Sequence, residues 1–260
     1  MQRPVASVMT ALATVAIGVA GSLVHAQKPI ESSAETRFQL DLQVPDAALR
    51  PFLPRGFTLD VRTEGAAKDC NLRAVFVDRI TINAPDGKPV GKGSSRLVYL
   101  EAPVKDPGGG SARLVIGGLT SDPADTPGPF GNFLHASTAT LKRAISAEAS
   151  TVIETQEWTF RASSGEEVEM RITFERGTAV RNSKPTETRF YSAKDPGIYQ
   201  ISRDERALEI IRNPTTNPPD KVRQFDFKGS GGTFASLFDG THRTVSWDNI
   251  MWQMRTVLVP

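Results

Sequence analysis

The stretch Glu166–Arg176, EEVEMRITFER, decides the fold class. Apolar side chains occupy every second position from Val168 to Phe174, and charged or polar side chains occupy the positions between them. This two-residue period predicts an antiparallel strand with one buried face and one wet face. The run Thr151–Ala162 precedes it across Ser163-Ser164-Gly165, which has the composition of a turn. The two runs therefore predict a β-hairpin.

Similar short runs recur along the chain between clusters of Gly, Pro and Asp. They are Arg37–Val44, Leu72–Ile82, Arg96–Ala102, Arg113–Leu119, Ala207–Ile211 and Val222–Phe227. A short helix is predicted at Asp46–Leu49, and the main mid-chain helix at His135–Ser146. Many strands with few helices predict one α+β domain, residues 37–260, built on a largely antiparallel sheet.

Composition excludes several classes of protein. The 260 residues suffice for a full-sized core, and a formal net charge of +2 without a basic stripe argues against a nucleic-acid partner. The single cysteine, Cys70, excludes an internal disulfide. The three histidines, His25, His135 and His242, do not have metal-ligand spacing. We therefore expect no metal site and no cofactor.

The first 26 residues are typical of an export signal. Arg3 supplies a positive start, an apolar stretch runs from Val5 to Val24, and Val24-His25-Ala26 fits a cleavage site. Cleavage would leave a polar leader, residues 27–36, and an exported, periplasmic protein without stable membrane insertion. The alternative is an uncleaved anchor, because the stretch approaches the ~18–20 residues that span a bilayer.

The most reactive pattern in the chain is the pair Lys142-Arg143, about forty residues after Tyr99-Leu100-Glu101. A lysine beside a second cation, with a carboxylate in reach, is what an imine-forming enzyme requires. Adjacent basic residues are also common on a solvated surface, and spacing alone does not separate the two interpretations.

Several short motifs together resemble the acetoacetate decarboxylase superfamily. Val44–Pro54 resembles the family's short helix and Leu-Pro turn, and Tyr99-Leu100-Glu101 is similar to its Tyr-x-Glu. Gly131–Leu134, leading to Leu141-Lys142-Arg143, is similar to its glycine motif and lysine pair. Ala235–Asp239 is similar to a C-terminal apolar-Phe-Asp piece. The resemblance spans residues 37–260 in order.

This resemblance implies a curved sheet that closes into a cone-shaped β-barrel. It implies a lyase in which Lys142 forms a Schiff base with a small oxo acid, most simply in an acetoacetate-type decarboxylation. Arg143 would lower the pKa of the lysine, and Glu101 would position substrate or move protons. No cofactor is implied, because the imine itself accepts the electrons, and homo-oligomeric assembly is left open.

Four further residues are candidates for substrate binding: Arg37, Tyr99, Phe133 and His135. Phe133 stands where the family has a polar residue. Together with the export signal, it supports an alternative function, an exported protein that uses the same barrel to bind an apolar or oxo-acid ligand without catalysis.

Overall fold

The computed structural model describes residues 27–123, 130–212 and 221–259. The predicted signal peptide, its cleavage site and the whole segment 213–219 lie outside these ranges. No helix of the described residues is long and apolar enough to cross a membrane.

Thirteen strands dominate the described chain. They are β1 (Lys28–Gln43), β2 (Thr58–Leu59), β3 (Leu72–Asn83), β4 (Ser95–Lys105), β5 (Ser111–Thr120), β6 (Phe133–Glu148), β7 (Thr151–Ala162), β8 (Glu167–Glu175), β9 (Val180–Arg181), β10 (Thr186–Ser192), β11 (Tyr199–Arg212), β12 (Val222–Ser230) and β13 (Arg243–Val259). Only two short α-helices are described, α1 (Asp46–Leu49) and α2 (Gly232–Leu237), with a 3-10 turn at Arg50–Phe52. The predicted fold class and the predicted hairpin of β7 and β8 are confirmed.

Seven of these strands close into a hydrogen-bonded ring in the order β1, β3, β4, β5, β10, β11, β13 and back to β1. The strand β5 runs parallel to β10 and to β6, whereas the other pairings of the described strands are antiparallel. Closure removes the unpaired edges that an open sheet would leave in this region. The ring also encloses an interior that side chains from seven strands share.

A second layer, β6, β7, β8 and β12, covers one outer side of the ring. Its inner face carries the alternating apolar residues of the hairpin, which pack on apolar residues of β1 and β3. The ring of Phe38 lies 6.0 Å from that of Phe174, and Phe76 lies 5.7 Å from Trp158. The main core therefore lies outside the ring, between the two layers, and the ring interior is left to other residues.

The predicted helix at His135–Ser146 is wrong, because these residues lie in the long strand β6. They pair with β7 along almost their whole length, with Lys142 opposite Glu157 and Arg143 opposite Gln156. The segment mixes three alanines, which favour a helix, with Thr138, Thr140 and Ile145, which favour a strand. Pairing with the strong β7–β8 hairpin decides between the two.

The segment predicted as a polar leader belongs to β1. Residues from Ser32 to Glu35 pair with β3 on one side and β13 on the other. Its polarity has a structural cause, since Glu31, Ser33 and Glu35 are buried inside the ring rather than exposed in a leader.

We expect Phe76→Ala to lower the free energy of unfolding by about 3–5 kcal/mol, the usual loss for deleting a fully buried phenylalanine. Phe76 is 0% exposed and its ring contacts those of Trp158 and Phe160. Ile80→Ala on the same strand is the control, since Ile80 is 54% exposed and its loss should cost about 0.5 kcal/mol or less. Urea unfolding of both variants measures the difference, and equal losses would contradict this placement of the core.

Candidate ligand site inside the strand ring

Strand β1 turns a polar face into the ring and an apolar face into the core. Phe38, Leu40 and Leu42 are fully buried in the core between the layers. The alternate positions Glu31, Ser33, Glu35, Arg37, Gln39 and Asp41 face the interior, where they meet charged groups of other strands. The alternation of the two faces follows from the two-residue period of a strand. The inward-facing residues of β1 therefore form a column of polar and charged groups along the ring interior.

One end of this column borders a cavity that we call the Arg255 cavity. Its lining residues are Glu35, Arg37, Val77, Arg79, Leu97, Tyr99, Val115, Phe130, Phe133, Phe190, Gln200 and Arg255. The empty space is about 320 Å³, most of it in gaps narrower than a water molecule. One side is apolar and the other carries guanidinium groups, the combination expected of a site for a small amphipathic ligand.

Glu35 is the anionic centre of the cavity. Its carboxylate accepts hydrogen bonds from Arg37 Nε at 2.6 Å and from Ser33 Oγ at 2.5 Å, and lies 3.6 Å from Arg79 Nε. Burial alone would raise its pKa, but the charges of Arg37, Arg255 and Arg79 together lower the pKa to about 2. Glu35 is therefore ionised at every physiological pH.

The surrounding arginines are not fully neutralised. Arg79 pairs with Glu31, and Arg37 pairs with Glu35, but the nearest carboxylate oxygen to Arg255 Nη1 is that of Glu35 at 3.8 Å. Burial raises the pKa of Glu31, against the lowering effect of Arg79 and Arg255. Nη1 of Arg255 is buried and has no hydrogen-bond partner among the described residues. A buried donor without an acceptor is costly, and a bound anion would supply one.

Tyr99 provides the neutral polar group of the cavity. Its hydroxyl accepts a hydrogen bond from Arg37 Nη1 at 3.3 Å, and burial raises its pKa to about 12. The hydroxyl therefore stays protonated and can donate a hydrogen bond. Its ring lies 6.2 Å from that of Phe133, which closes the apolar side.

A glycine makes room for Phe133. A Cβ added to Gly118 would lie 2.6 Å from both Phe133 Cε1 and the Val98 carbonyl oxygen, closer than packed atoms approach. Gly118 therefore allows β4, β5 and the start of β6 to meet where the Phe133 ring lines the cavity.

The structure brings together three of the residues predicted from sequence, Arg37, Tyr99 and Phe133, at the Arg255 cavity. Glu101 also faces the ring interior, but its carboxylate lies 3.3 Å from Arg73 and 3.5 Å from Arg113. His135 lies exposed on β6. The described residues that line the cavity include no lysine.

Lys142 and Arg143 lie away from this group, on the exposed face and edge of β6. The Lys142 side chain is 81% exposed, and its ion pair is with Glu157, at 3.9 Å. The Arg143 side chain points to the opposite face of β6, because successive side chains on a strand alternate. It donates hydrogen bonds to the buried carboxylate of Glu154 from Nε at 2.6 Å and from Nη2 at 3.2 Å. The predicted proximity of Lys142 to Glu101 is therefore wrong, and Lys142 has neither the burial nor the adjacent free cation that activates an amine.

Sequence reasoning missed Glu35, Arg79 and Arg255. A signal was present for the first, since polar residues alternate from Glu31 to Asp41 in a chain whose other strands alternate apolar residues. No comparable signal marks Arg255, because only the pairing of β13 with β1 and β11 brings it to the ring interior. In the described residues no group of three or more His, Cys, Asp or Glu is arranged to hold a metal ion.

Comparison with known proteins gives matches in structure alone. No family model and no curated sequence matches the chain. The structure is similar to the enduracididine biosynthesis enzyme MppR complexed with pyruvate, with 13% identity over 92% of this chain and 91% of that one and a TM-score of 0.53. MppR complexed with the condensation product of pyruvate and imidazole 4-carboxaldehyde matches at 14% identity over 89% and 87%, with the same TM-score.

An acetoacetate decarboxylase-like enzyme from Sphingomonas wittichii RW1 matches at 10% identity over 89% and 91%, with a TM-score of 0.49. The two MppR structures show that the chain has their fold, and the acetoacetate decarboxylase-like fold class predicted from the sequence motifs is confirmed. At such low identity the similarity extends to the fold, and the chemistry has to be argued from the residues of this chain.

We expect Glu35→Gln to destabilise the protein at neutral pH by about 3–5 kcal/mol, because it leaves buried arginines without their anion. The folded-state pKa of Glu35, about 2, lies below the ordinary value of 4.5, so its contribution is present above pH ~4.5 and is lost as the pH falls towards 2. The difference in Tm between wild type and variant should therefore narrow as the pH falls from about 7 to about 3.

The control for this experiment is Glu205→Gln, which removes a carboxylate that is 40% exposed and paired with Arg181 on the surface. It should change Tm little at either pH. A Glu35→Gln variant as stable as wild type at neutral pH would show that Glu35 does not hold the arginine cluster.

Proposed function

We propose that the protein binds a small oxo acid or a similar apolar monocarboxylate in the Arg255 cavity, without forming a covalent bond to it. The observation that carries the proposal is the buried Nη1 of Arg255, which faces the cavity without a hydrogen-bond partner. The ligand carboxylate would accept hydrogen bonds from Arg255, and Tyr99 would donate to a carbonyl or carboxylate oxygen.

The apolar wall supports a ligand with a short hydrophobic or carbonyl-bearing tail. The wall is formed by Val77, Leu97, Val115, Phe130, Phe133 and Phe190. Because the cavity is narrow, the ligand must be small, and a wall side chain must move on entry. Phe133 and Phe190 are only partly buried, so they are the wall aromatics with room to move. The pyruvate named for MppR belongs to the same class of small oxo acids.

A lysine-imine lyase is the competing proposal. It follows from the sequence resemblance, and Lys142 would be the imine-forming residue. The exposed Lys142 side chain and its partner Glu157 favour non-covalent binding over this mechanism. A lyase using this lysine would need a second, differently placed pocket next to β6.

Borohydride trapping separates the two proposals. The purified protein is incubated with pyruvate or acetoacetate, reduced, and mapped by peptide mass spectrometry. We expect no reduced adduct on Lys142, because an exposed amine paired with a carboxylate lacks the activation that imine formation requires. A stoichiometric adduct on Lys142 that disappears in Lys142→Ala would overturn non-covalent binding and establish the imine.

Binding itself is measured by titration calorimetry with the same two acids. We expect Arg255→Gln to weaken binding by about 10- to 100-fold, the effect of losing a hydrogen bond to a charged group. Arg203→Gln is the matched control, because Arg203 is 47% exposed and pairs with Glu187 outside the ring. Equal affinity in wild type and Arg255→Gln would place the ligand elsewhere.

A further inference from the structure

The other end of the ring interior holds a second cavity, which we call the Asp248 cavity. Its polar wall is formed by Gln39, Asp41, Arg73, Arg113, Arg206 and Asp248, and the segment 62–67 and two apolar residues, Leu208 and Ile250, complete it. Its empty space, including the mouth, is about 700 Å³. No lining residue is shared with the Arg255 cavity.

Arginines outnumber carboxylates in this lining. Arg62, Arg73, Arg113 and Arg206 face Asp41, Glu64 and Asp248. Asp41 is already engaged, since Arg73 Nε donates to it at 2.6 Å. The cavity therefore has more positive charge than its own carboxylates balance.

Among the described residues, two arginines of the lining, Arg113 and Arg206, have only long ion pairs, both with carboxylates outside the lining. Arg113 Nε is 3.5 Å from Glu101, whose carboxylate oxygen is shared with Arg73, and Arg206 Nε is 3.9 Å from Asp204. Burial and the charge of Arg73 lower the pKa of Arg113. An anion placed between Arg113 and Arg206 would offset the charge of Arg73 on Arg113 and accept charge-assisted hydrogen bonds from both guanidinium groups.

Asp248 is the acid of the cavity. Gln39 Nε2 donates to its carboxyl at 3.0 Å, and Ser246 Oγ lies at 3.5 Å. Burial and Asp41 of β1 raise its pKa to about 7, against the lowering effect of Arg73 of β3 and Arg206 of β11. Near neutral pH a part of the molecules thus carries a protonated Asp248, which can donate a hydrogen bond.

We propose that the Asp248 cavity is a second binding site, for a small dicarboxylate held by Arg113 and Arg206, and that binding takes up a proton at Asp248. One carboxylate of the ligand would lie at each guanidinium, and the carboxyl of Asp248 would donate its proton to a ligand oxygen. The site shares no side chain with the Arg255 cavity, although β1, β3, β5, β11 and β13 contribute to both, and it does not depend on the function proposed there.

Calorimetric titration of the full chain with malonate tests the site, with acetate as the monocarboxylate comparison. We expect malonate to bind at least about tenfold more tightly than acetate, and Arg113→Gln and Arg206→Gln each to weaken it about tenfold or more. Arg206 is 35% exposed, so its variant keeps the test informative if Arg113→Gln fails to fold. Arg255→Gln should leave malonate binding unchanged.

The proton is detected by titration in two buffers with different ionisation enthalpies at about pH 7. We expect net proton uptake, and affinity that falls about tenfold between about pH 6 and about pH 8.5, since ionised Asp248 repels the ligand. Asp248→Asn should abolish the uptake and flatten this pH dependence while malonate still binds.

Three results would overturn the proposal. One is no malonate binding by the folded wild type at millimolar concentration, and another is unchanged binding in Arg206→Gln. The third is loss of malonate binding in Arg255→Gln, which would place malonate in the other cavity.

Discussion

The fold depends on the pairing of buried charges inside the strand ring. A charge removed from water is costly unless an opposite charge and hydrogen bonds replace its hydration. Here Glu35 pairs with Arg37 of the same strand and lies 3.6 Å from Arg79 of β3, and Asp41 pairs with Arg73 of β3, so two of these contacts join the neighbouring strands β1 and β3. Arg255 of β13, on the other side of β1, also lies 3.8 Å from Glu35, so charges of the neighbouring strands β3, β1 and β13 meet inside the ring. The apolar core outside the ring supplies burial energy, whereas the charges fix which face of β1 turns inward.

The same arrangement produces the candidate sites. Pairing is close along the column but looser at its ends, where the carboxylates nearest to Arg255, Arg113 and Arg206 lie at 3.8, 3.5 and 3.9 Å. A protein can bury guanidinium groups that lack a close acceptor when a bound ligand accepts their hydrogen bonds. Two small anions, one at each end, would complete the hydrogen bonding of the interior, and this links the stability of the ring to ligand binding.

The fold could be predicted from sequence because its signals are local. The alternation from Val168 to Phe174 specifies a strand by itself, and short motifs from Val44 to Asp239 specified the family of folds. Of the candidate site residues named from sequence, Arg37, Tyr99 and Phe133 lie together at the Arg255 cavity, whereas Lys142 does not join them. Imine formation by the lysine pair would require that it lie on a buried element near Glu101. The pair instead lies on an exposed strand, β6, which pairs with β7.

The sequence by itself determined the strand content, the short helix at Asp46–Leu49 and the apolar face of the hairpin, because these depend on the period and propensity of neighbouring residues. The tertiary structure alone decided that Glu35, Arg79 and Arg255 share one interior, since they are up to 220 residues apart and meet only because β3, β1 and β13 pair side by side. It also decided that Lys142 faces solvent. Burial and the identity of the nearest charge set the chemistry of an ionisable group, and both are properties of packing rather than of sequence order.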